Sequence, residues 1–313
     1  MTRTVRALAG AAIGCAVLAA VSWFGARWTE HRYPPTGEFI EVDGQRLHYL
    51  RDGRGPPLLL LHGASSNLRD MQASLMPALR DDFTVVAFDR PGYGHSPRGD
   101  GPWPSPAVQA GLFLDALQAM GLQQPLVLGH SWSGSIVMAA LLDHPQRVAG
   151  GVLLAGAAGH WAGSVGWSYD IARVPLLGEL FAWLFVWPAG QFLLAPGVAA
   201  VLAPNPVPEA YVEAIGAPLA LRPASFLHNA QDMYRLNGFL QKQSTRYRTI
   251  DAPLLAIHGE ADELVPYWNH GRRLEPVVPG MQTVLLPGVG HAPHHAATAR
   301  VAAAIRGFAA ALD

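Results

Sequence analysis

The chain has 313 residues, half of them apolar, with a formal net charge of -1 and only 14% charged side chains. That length and apolar content exclude an intrinsically disordered chain and suit one large domain, or a domain with a sizeable insertion. The charge balance excludes a broad basic field for nucleic acid and favours a small or apolar partner, while the single cysteine, Cys15, excludes an internal disulfide framework and a multi-cysteine metal site.

Residues 7–26 carry no charge; Arg3 and Arg6 precede them and Arg27 follows. About 20 helical residues span roughly the 30 Å hydrocarbon core of a bilayer, so the segment is expected to be an uncleaved single-pass anchor. Trp23 and Trp28 suit the interfacial aromatic belt at its far end. A cleaved signal peptide is the rival reading, because Ala20-Val21-Ser22 is a small-residue cleavage site. A cytosolic amphiphilic extension is a third. Cys15 after Gly14 resembles a lipoprotein cleavage box, but the apolar run continues past it. Positive residues before the span lean toward a cytoplasmic N-terminus and a body on the non-cytoplasmic side, although Arg27 and Arg32 follow the span.

After a linker at Pro34 and Pro35, residues 39–42 and 46–51 read as two strands joined at Asp43-Gly44, a strong hairpin signal. Short apolar runs bounded by turn residues follow at 57–61, 83–88, 125–128, 151–155, 253–257 and 283–286, the pattern of buried strands. Segments with helical spacing lie between most of them, at 70–79, 108–120, 132–143 and 298–311. Alternation of this kind implies a mostly parallel sheet covered on both faces. Residues 157–248 break the rhythm, being rich in Trp, Leu, Phe and Pro, and read as a helical insertion. Within it Leu176, Leu177, Leu180, Phe181, Leu184 and Phe185 fall at helical spacing, which by default means one packed helix face and otherwise the lining of a substrate pocket.

The central chemical signal is the run Leu126 to Gly134, an apolar strand passing through Gly129-His130-Ser131-Trp132-Ser133 into a helix. A nucleophilic serine on such a sharp turn needs small residues two positions either side. Gly129 supplies one; Ser133 stands where a strict pattern has glycine, so the bend is feasible but tighter. A second strand ends at His62-Gly63-Ala64-Ser65, where a backbone N–H can stabilise an oxyanion. Ala64 and Trp132 are therefore the expected amide donors. Two further strands run into Gly259-Glu260-Ala261-Asp262 and Gly288-Val289-Gly290-His291. A serine hydroxyl needs a base, and the base needs a partner that sets its tautomer. Ser131, Asp262 and His291, each just past a strand, meet those needs if the sheet is parallel.

Other residues compete for these roles. Ser133 and Ser135 lie beyond the turn, and Ser96 is followed by Pro97 in a loop. Glu260 and Glu263 flank Asp262 and are alternatives as the orienting carboxylate. His294 and His295 with His291 suggest a metal cluster, but no carboxylate or cysteine pattern accompanies them, and no metal or cofactor is expected. His62, His130 and His258 each end a strand and read as hydrogen-bonded neighbours of the site.

From residue 37 onward the chain resembles the α/β-hydrolase superfamily, a likeness that includes the loop Asp89-Arg90-Pro91-Gly92-Tyr93-Gly94-His95-Ser96. The resemblance implies an α/β-hydrolase fold: an eight-stranded, mostly parallel sheet with helices on both faces, and a helical cap after the sixth strand. The corresponding division is residues 1–33 as anchor or signal segment and linker, 34–156 and 249–313 as the two parts of the core, and 157–248 as the cap. It also implies catalysis through an acyl-enzyme on Ser131, with Asp262 and His291 completing the triad and Ala64 and Trp132 the oxyanion hole. Serine at the turn argues against the dehalogenase and epoxide-hydrolase branches, which use aspartate there. Hydrolysis of a lipophilic carboxylic ester is the leading expectation, since the cap is apolar and residues 7–26 suit a membrane. A carbon-carbon bond hydrolase, an aminopeptidase or a perhydrolase can use the same triad. A catalytically silent, membrane-tethered binding protein is the alternative of a different class, and the intact triad stands against it.

Overall fold

The apolar runs form one eight-stranded sheet in the computed structural model, which describes residues 2–99 and 101–312. The strands are β1 (Glu38–Val42), β2 (Gln45–Gly53), β3 (Pro57–Leu61), β4 (Thr84–Phe88), β5 (Leu126–His130), β6 (Gly150–Leu154), β7 (Leu254–Gly259) and β8 (Gln282–Leu286). Their order across the sheet is β1-β2-β4-β3-β5-β6-β7-β8. The hairpin at Asp43-Gly44 pairs β1 with β2, and β2 pairs antiparallel with β4; every other neighbouring pair is parallel.

Side chains alternate between the two faces of a strand, so each apolar run feeds two cores. Leu59, Leu61, Val86, Phe88 and Val127 pack on α4 (Pro106–Ala119) and α5 (Gly134–Asp143). Leu58, Leu60, Val85 and Ala87 pack on α3 (Leu75–Leu79) and on the helix Thr298–Ala310. Burial on both faces explains why these strands read as continuous apolar runs. The helix expected over residues 70–79 forms as two pieces, α2 (Arg69–Gln72) and α3, because the chain leaves helical geometry at Ser74, whose hydroxyl donates to the Asp70 carbonyl at 2.7 Å.

Between β6 and β7 lie α6 (Trp167–Ala172), α7 (Leu177–Phe181), a π-helical turn (Ala182–Val186), α8 (Trp187–Leu202), α9 (Tyr211–Ala214) and α10 (Pro223–Gln243). The packed helix face expected over residues 176–185 does not form. Leu176, Leu177 and Leu180 are more than half exposed, whereas Phe181 and Phe185 line a cavity. Helical spacing identifies one face of a helix but not what covers it.

Helix α1 (Arg3–Arg32) and the run Leu177–Leu202 are both long and apolar enough to cross a membrane. The sequence singled out only the first; the second lies within the stretch read as a helical insertion. Helix α1 continues beyond the apolar run, and its last turns join the folded body instead of forming a free linker. Ser22, Gly25 and Thr29 are buried, Arg222 pairs with Glu30 at 3.3 Å, and the Tyr33 hydroxyl donates to Glu213 at 2.5 Å.

Candidate active site

Because β3, β5, β6, β7 and β8 run parallel, their carboxyl ends share one edge of the sheet, where open α/β sheets bind ligands. Ser131 follows β5 directly and takes a left-handed φ of 51°. A non-glycine residue there costs about 1–3 kcal/mol and persists only when its surroundings hold it. The Ala157 N–H donates to the Ser131 carbonyl at 2.8 Å. A side chain at Gly129 would strike the Ser133 carbonyl, and one at Gly134 would lie 2.7 Å from the Ala157 nitrogen. Ser133 does more than stay small: its buried hydroxyl donates to the His62 carbonyl at 2.5 Å, tying the turn to the end of β3.

The Ser131 hydroxyl lies 2.8 Å from His291 Nε2, and His291 Nδ1 lies 2.9 Å from Asp262 Oδ2. A carboxylate can only accept, so Nδ1 carries the proton and Nε2 is left free to receive one. Asp262 is in turn held by the Leu264 and Val265 amides, both at 2.9 Å from its Oδ1. Burial pushes its pKa up, but hydrogen bonds from His258 and His291 outweigh this and hold it well below the usual carboxylate range. Asp262 is therefore an anion at neutral pH.

The competing residues are occupied elsewhere. Ser135 donates to the Trp132 carbonyl at 2.7 Å, and Ser96 Oγ accepts the His48 amide at 2.9 Å. Glu260 and Glu263 are exposed. His62 bonds Gly63 and Arg90, His258 bonds Val265, and His130 Nε2 donates to the His291 carbonyl at 2.9 Å.

Ala64 and Trp132 line the same cavity as Ser131. A side chain at Gly63 would come within 3.0 Å of Ser131 Cβ, so the β3 loop abuts the serine. The Trp132 amide lies in the first turn of a helix, where backbone donors have no intrahelical acceptor. The cavity measures about 1460 Å³ and extends from Ser131 under the cap, with Phe181, Phe185, Leu193, Leu194 and Val198 among its apolar walls.

His294 and His295 do meet a carboxylate, but one supplied from far away in the chain. Asp70 accepts from His294 Nε2 at 3.1 Å and from His295 Nε2 at 2.7 Å, and the Tyr211 hydroxyl reaches it at 3.3 Å. Burial pushes the Asp70 pKa up, yet His294 and His295 hold it well below the carboxylate range. Sequence reasoning also passed over Asn229 and Asp232 of α10, whose only signal was a pair of polar residues one turn apart on a helix of the apolar insertion.

Residues 58–304 match the model of the Alpha/beta hydrolase family. An uncharacterised protein of Mycobacterium tuberculosis is 28% identical over 276 residues, covering 85% of this chain and 79% of the relative. A 2-hydroxymuconate semialdehyde hydrolase of Pseudomonas putida is 26% identical over 291 residues, covering 90% of this chain and 96% of the relative. Among solved structures, an alpha/beta hydrolase fold protein from Burkholderia ambifaria superimposes with a TM-score of 0.72 at 24% identity, covering 86% of this chain and 96% of its own. A membrane phospholipase A superimposes with a TM-score of 0.63 at 20% identity, covering 99% of this chain and 97% of its own.

Proposed function

The chain belongs to the alpha/beta hydrolase family, and on that premise we propose that it is a serine hydrolase cleaving a lipophilic carboxylic ester through an acyl-enzyme on Ser131. The observation that carries this reading is the unbroken chain from Ser131 Oγ through His291 to Asp262 at the floor of an apolar cavity. Ser131 Oγ attacks the ester carbonyl carbon while His291 Nε2 takes its proton, and Asp262 holds the imidazole in the required tautomer and stabilises the imidazolium. The oxyanion is stabilised by the Ala64 and Trp132 amides. Collapse of the tetrahedral intermediate expels the alcohol, protonated by His291. Water, deprotonated by the same imidazole, then releases the acid and restores Ser131.

The lipophilic preference follows from the cavity walls and from the apolar surface beside them. Leu176 and Phe192 of the cap are exposed, and the apolar helix α1 packs against the same cap. Substrate drawn from a membrane fits that arrangement, with α1 acting as anchor and the body on the non-cytoplasmic side. The likeness to a membrane phospholipase A, which takes in nearly the whole chain, is in keeping with it. A carbon-carbon bond hydrolase is the second reading, favoured by the similarity to the Pseudomonas putida enzyme over almost its full length.

Labelling with a serine-reactive fluorophosphonate, followed by peptide mapping, tests the nucleophile; modification away from Ser131 would reject it. Turnover of p-nitrophenyl esters of increasing chain length, beside amide and vinylogous diketone substrates, tests the class. Faster turnover of long than of short esters supports the proposal, and turnover of the diketone alone replaces it with the second reading.

A further inference from the structure

We propose that Asn229, on cap helix α10, is a positioning residue for the oxyanion-stabilising amides, so that the cap supplies a constraint on which the chemical step depends. The inference rests on the reading of Ser131 as nucleophile and of Ala64 and Trp132 as the amide donors.

The Ala64 N–H shares a planar peptide group with the Gly63 carbonyl, so fixing one fixes the direction of the other. The Gly63 carbonyl accepts from His62 Nδ1 at 2.8 Å and from Arg90 Nη2 at 3.3 Å. His62 is locked in that tautomer, because its Nε2 accepts the Arg90 amide at 3.0 Å. These contacts come from the core. The next peptide group is held from the cap: the Ser65 N–H donates to Asn229 Oδ1 at 2.8 Å, and Asn229 Nδ2 donates to Ser65 Oγ at 2.9 Å and to Tyr169 Oη at 3.2 Å. Ser65 has a left-handed φ of 52°, a geometry that needs such support. Ala64 is thus bracketed by two restrained peptide planes, and Asn229 supplies the second.

Asp232, one turn further along α10, ties the same helix to the other donor. Its carboxylate accepts from Arg90 Nη1 at 3.1 Å and Arg98 Nη2 at 2.9 Å, and its carbonyl accepts the Trp132 indole N–H at 3.2 Å. The Arg90 guanidinium lies 4.0 Å over the Trp132 ring. Tyr93 has one hydroxyl proton and two acceptors, Asn229 Oδ1 at 3.1 Å and Asp232 Oδ2 at 2.9 Å, and the charged acceptor takes it. The Asn229 oxygen is therefore left to the Ser65 amide.

The experiment compares the full-length protein with Asn229→Leu, which removes the amide at similar volume, and Asn229→Asp, which keeps an oxygen for the Ser65 N–H. Each is assayed on a p-nitrophenyl ester and against two inhibitors of equal chain length: a trifluoromethyl ketone, which forms a tetrahedral oxyanion on the serine, and the plain methyl ketone. In Asn229→Leu, kcat should fall about 10- to 100-fold, with KM and methyl ketone affinity within about two-fold, since a displaced donor weakens only the charged intermediate. Trifluoromethyl ketone affinity should fall by the same factor as kcat. Asn229→Asp should stay within about five-fold of the parent, because the acceptor survives. An unchanged kcat in Asn229→Leu, or a rise in KM alone, overturns the proposal. Should the leucine variant not fold, Asn229→Ala takes its place under the same expectations, and an unchanged kcat in that variant overturns the proposal. Failure of the underlying reading looks different, with turnover surviving in Ser131→Ala, or the two ketones binding the parent equally.

Discussion

Gly25 of helix α1 lies flat against the indole of Trp187, the first residue of α8, so that a side chain at position 25 would occupy the space of the ring. One turn later the Trp187 Nε1–H donates to Thr29 Oγ1 at 3.3 Å, and Thr29 is itself pinned to the Gly25 carbonyl at 2.8 Å. The apolar segment therefore ends inside the folded body.

Two truncations separate the anchoring part of α1 from its packed part. Removing residues 1–21 keeps Gly25, Thr29 and Glu30 in place and should give an active enzyme with a nearly unchanged melting temperature. Removing residues 1–33 uncovers Trp187 and strips Arg222 of Glu30; with roughly 1–3 kcal/mol of burial lost, the melting temperature should drop by roughly 3–8 °C. Equal stability of the two would mean that the α1 contacts contribute nothing. The intact chain should sediment with membranes and resist high salt and alkaline carbonate. A soluble exported protein beginning near Trp23 would instead identify a cleaved signal peptide.

Ser131→Ala and His291→Ala should each abolish turnover by about a million-fold in a folded protein, because the hydrogen-bonded set acts as a unit. Asp262→Asn should lose about four orders of magnitude by offering His291 Nδ1 the wrong partner. Exposed Glu260 makes no such contact, so Glu260→Gln should keep parental turnover. A dead Glu260→Gln beside an active Asp262→Asn would reverse that assignment.

Acid should destabilise the fold well above the carboxylate range. His62, His228 and His270 are each lowered from 6.5 to about 4, chiefly by burial, with the nearby guanidinium groups of Arg90 and Arg98 adding to the effect at His62 and His228. The unfolded chain takes up protons near pH 6.5 while the folded one resists until about pH 4, so the stability these groups contribute is complete above 6.5 and drains away between the two values. Asp70, Asp89 and Asp262, whose pKa values lie below 3.8 in the fold, add their own loss as pH falls below 3.8. Melting temperatures should be level above about pH 7 and decline steadily from there to about pH 4.5. A flat profile across that window would contradict the neutral state of these histidines in the fold.

Asp70→Ala should lower stability by about 3–5 kcal/mol, the range for removing one partner of a buried charged contact. It leaves the N–H groups of His294 and His295 and the Tyr211 hydroxyl without their acceptor. Urea unfolding gives the value, and a midpoint within error of the parent would show that solvent or a rearranged neighbour replaces the carboxylate.

Local pattern carried much of this protein. Strand runs were legible because both faces of a parallel sheet are buried, which forces continuous apolar residues such as Leu58 to Leu61 between turn-forming ones. The meeting of Ser131, Asp262 and His291 was legible because each stands within a few residues after such a strand, where chain direction brings them to one edge. The packing of α1 on the cap, the exposure of Leu176 and Leu180, and the carboxylate facing His294 were not legible, since nothing within a few residues of these positions reports what lies across from them. The same holds for Asn229 and Ser65, which are 164 residues apart. Sequence by itself determined the elements and the order in which Ser131, Asp262 and His291 follow their strands, because those follow from backbone sterics and apolar periodicity. Only the tertiary structure decided which buried polar groups satisfy one another, because a hydrogen bond between distant residues depends on the docking of whole helices and loops, not on any local pattern.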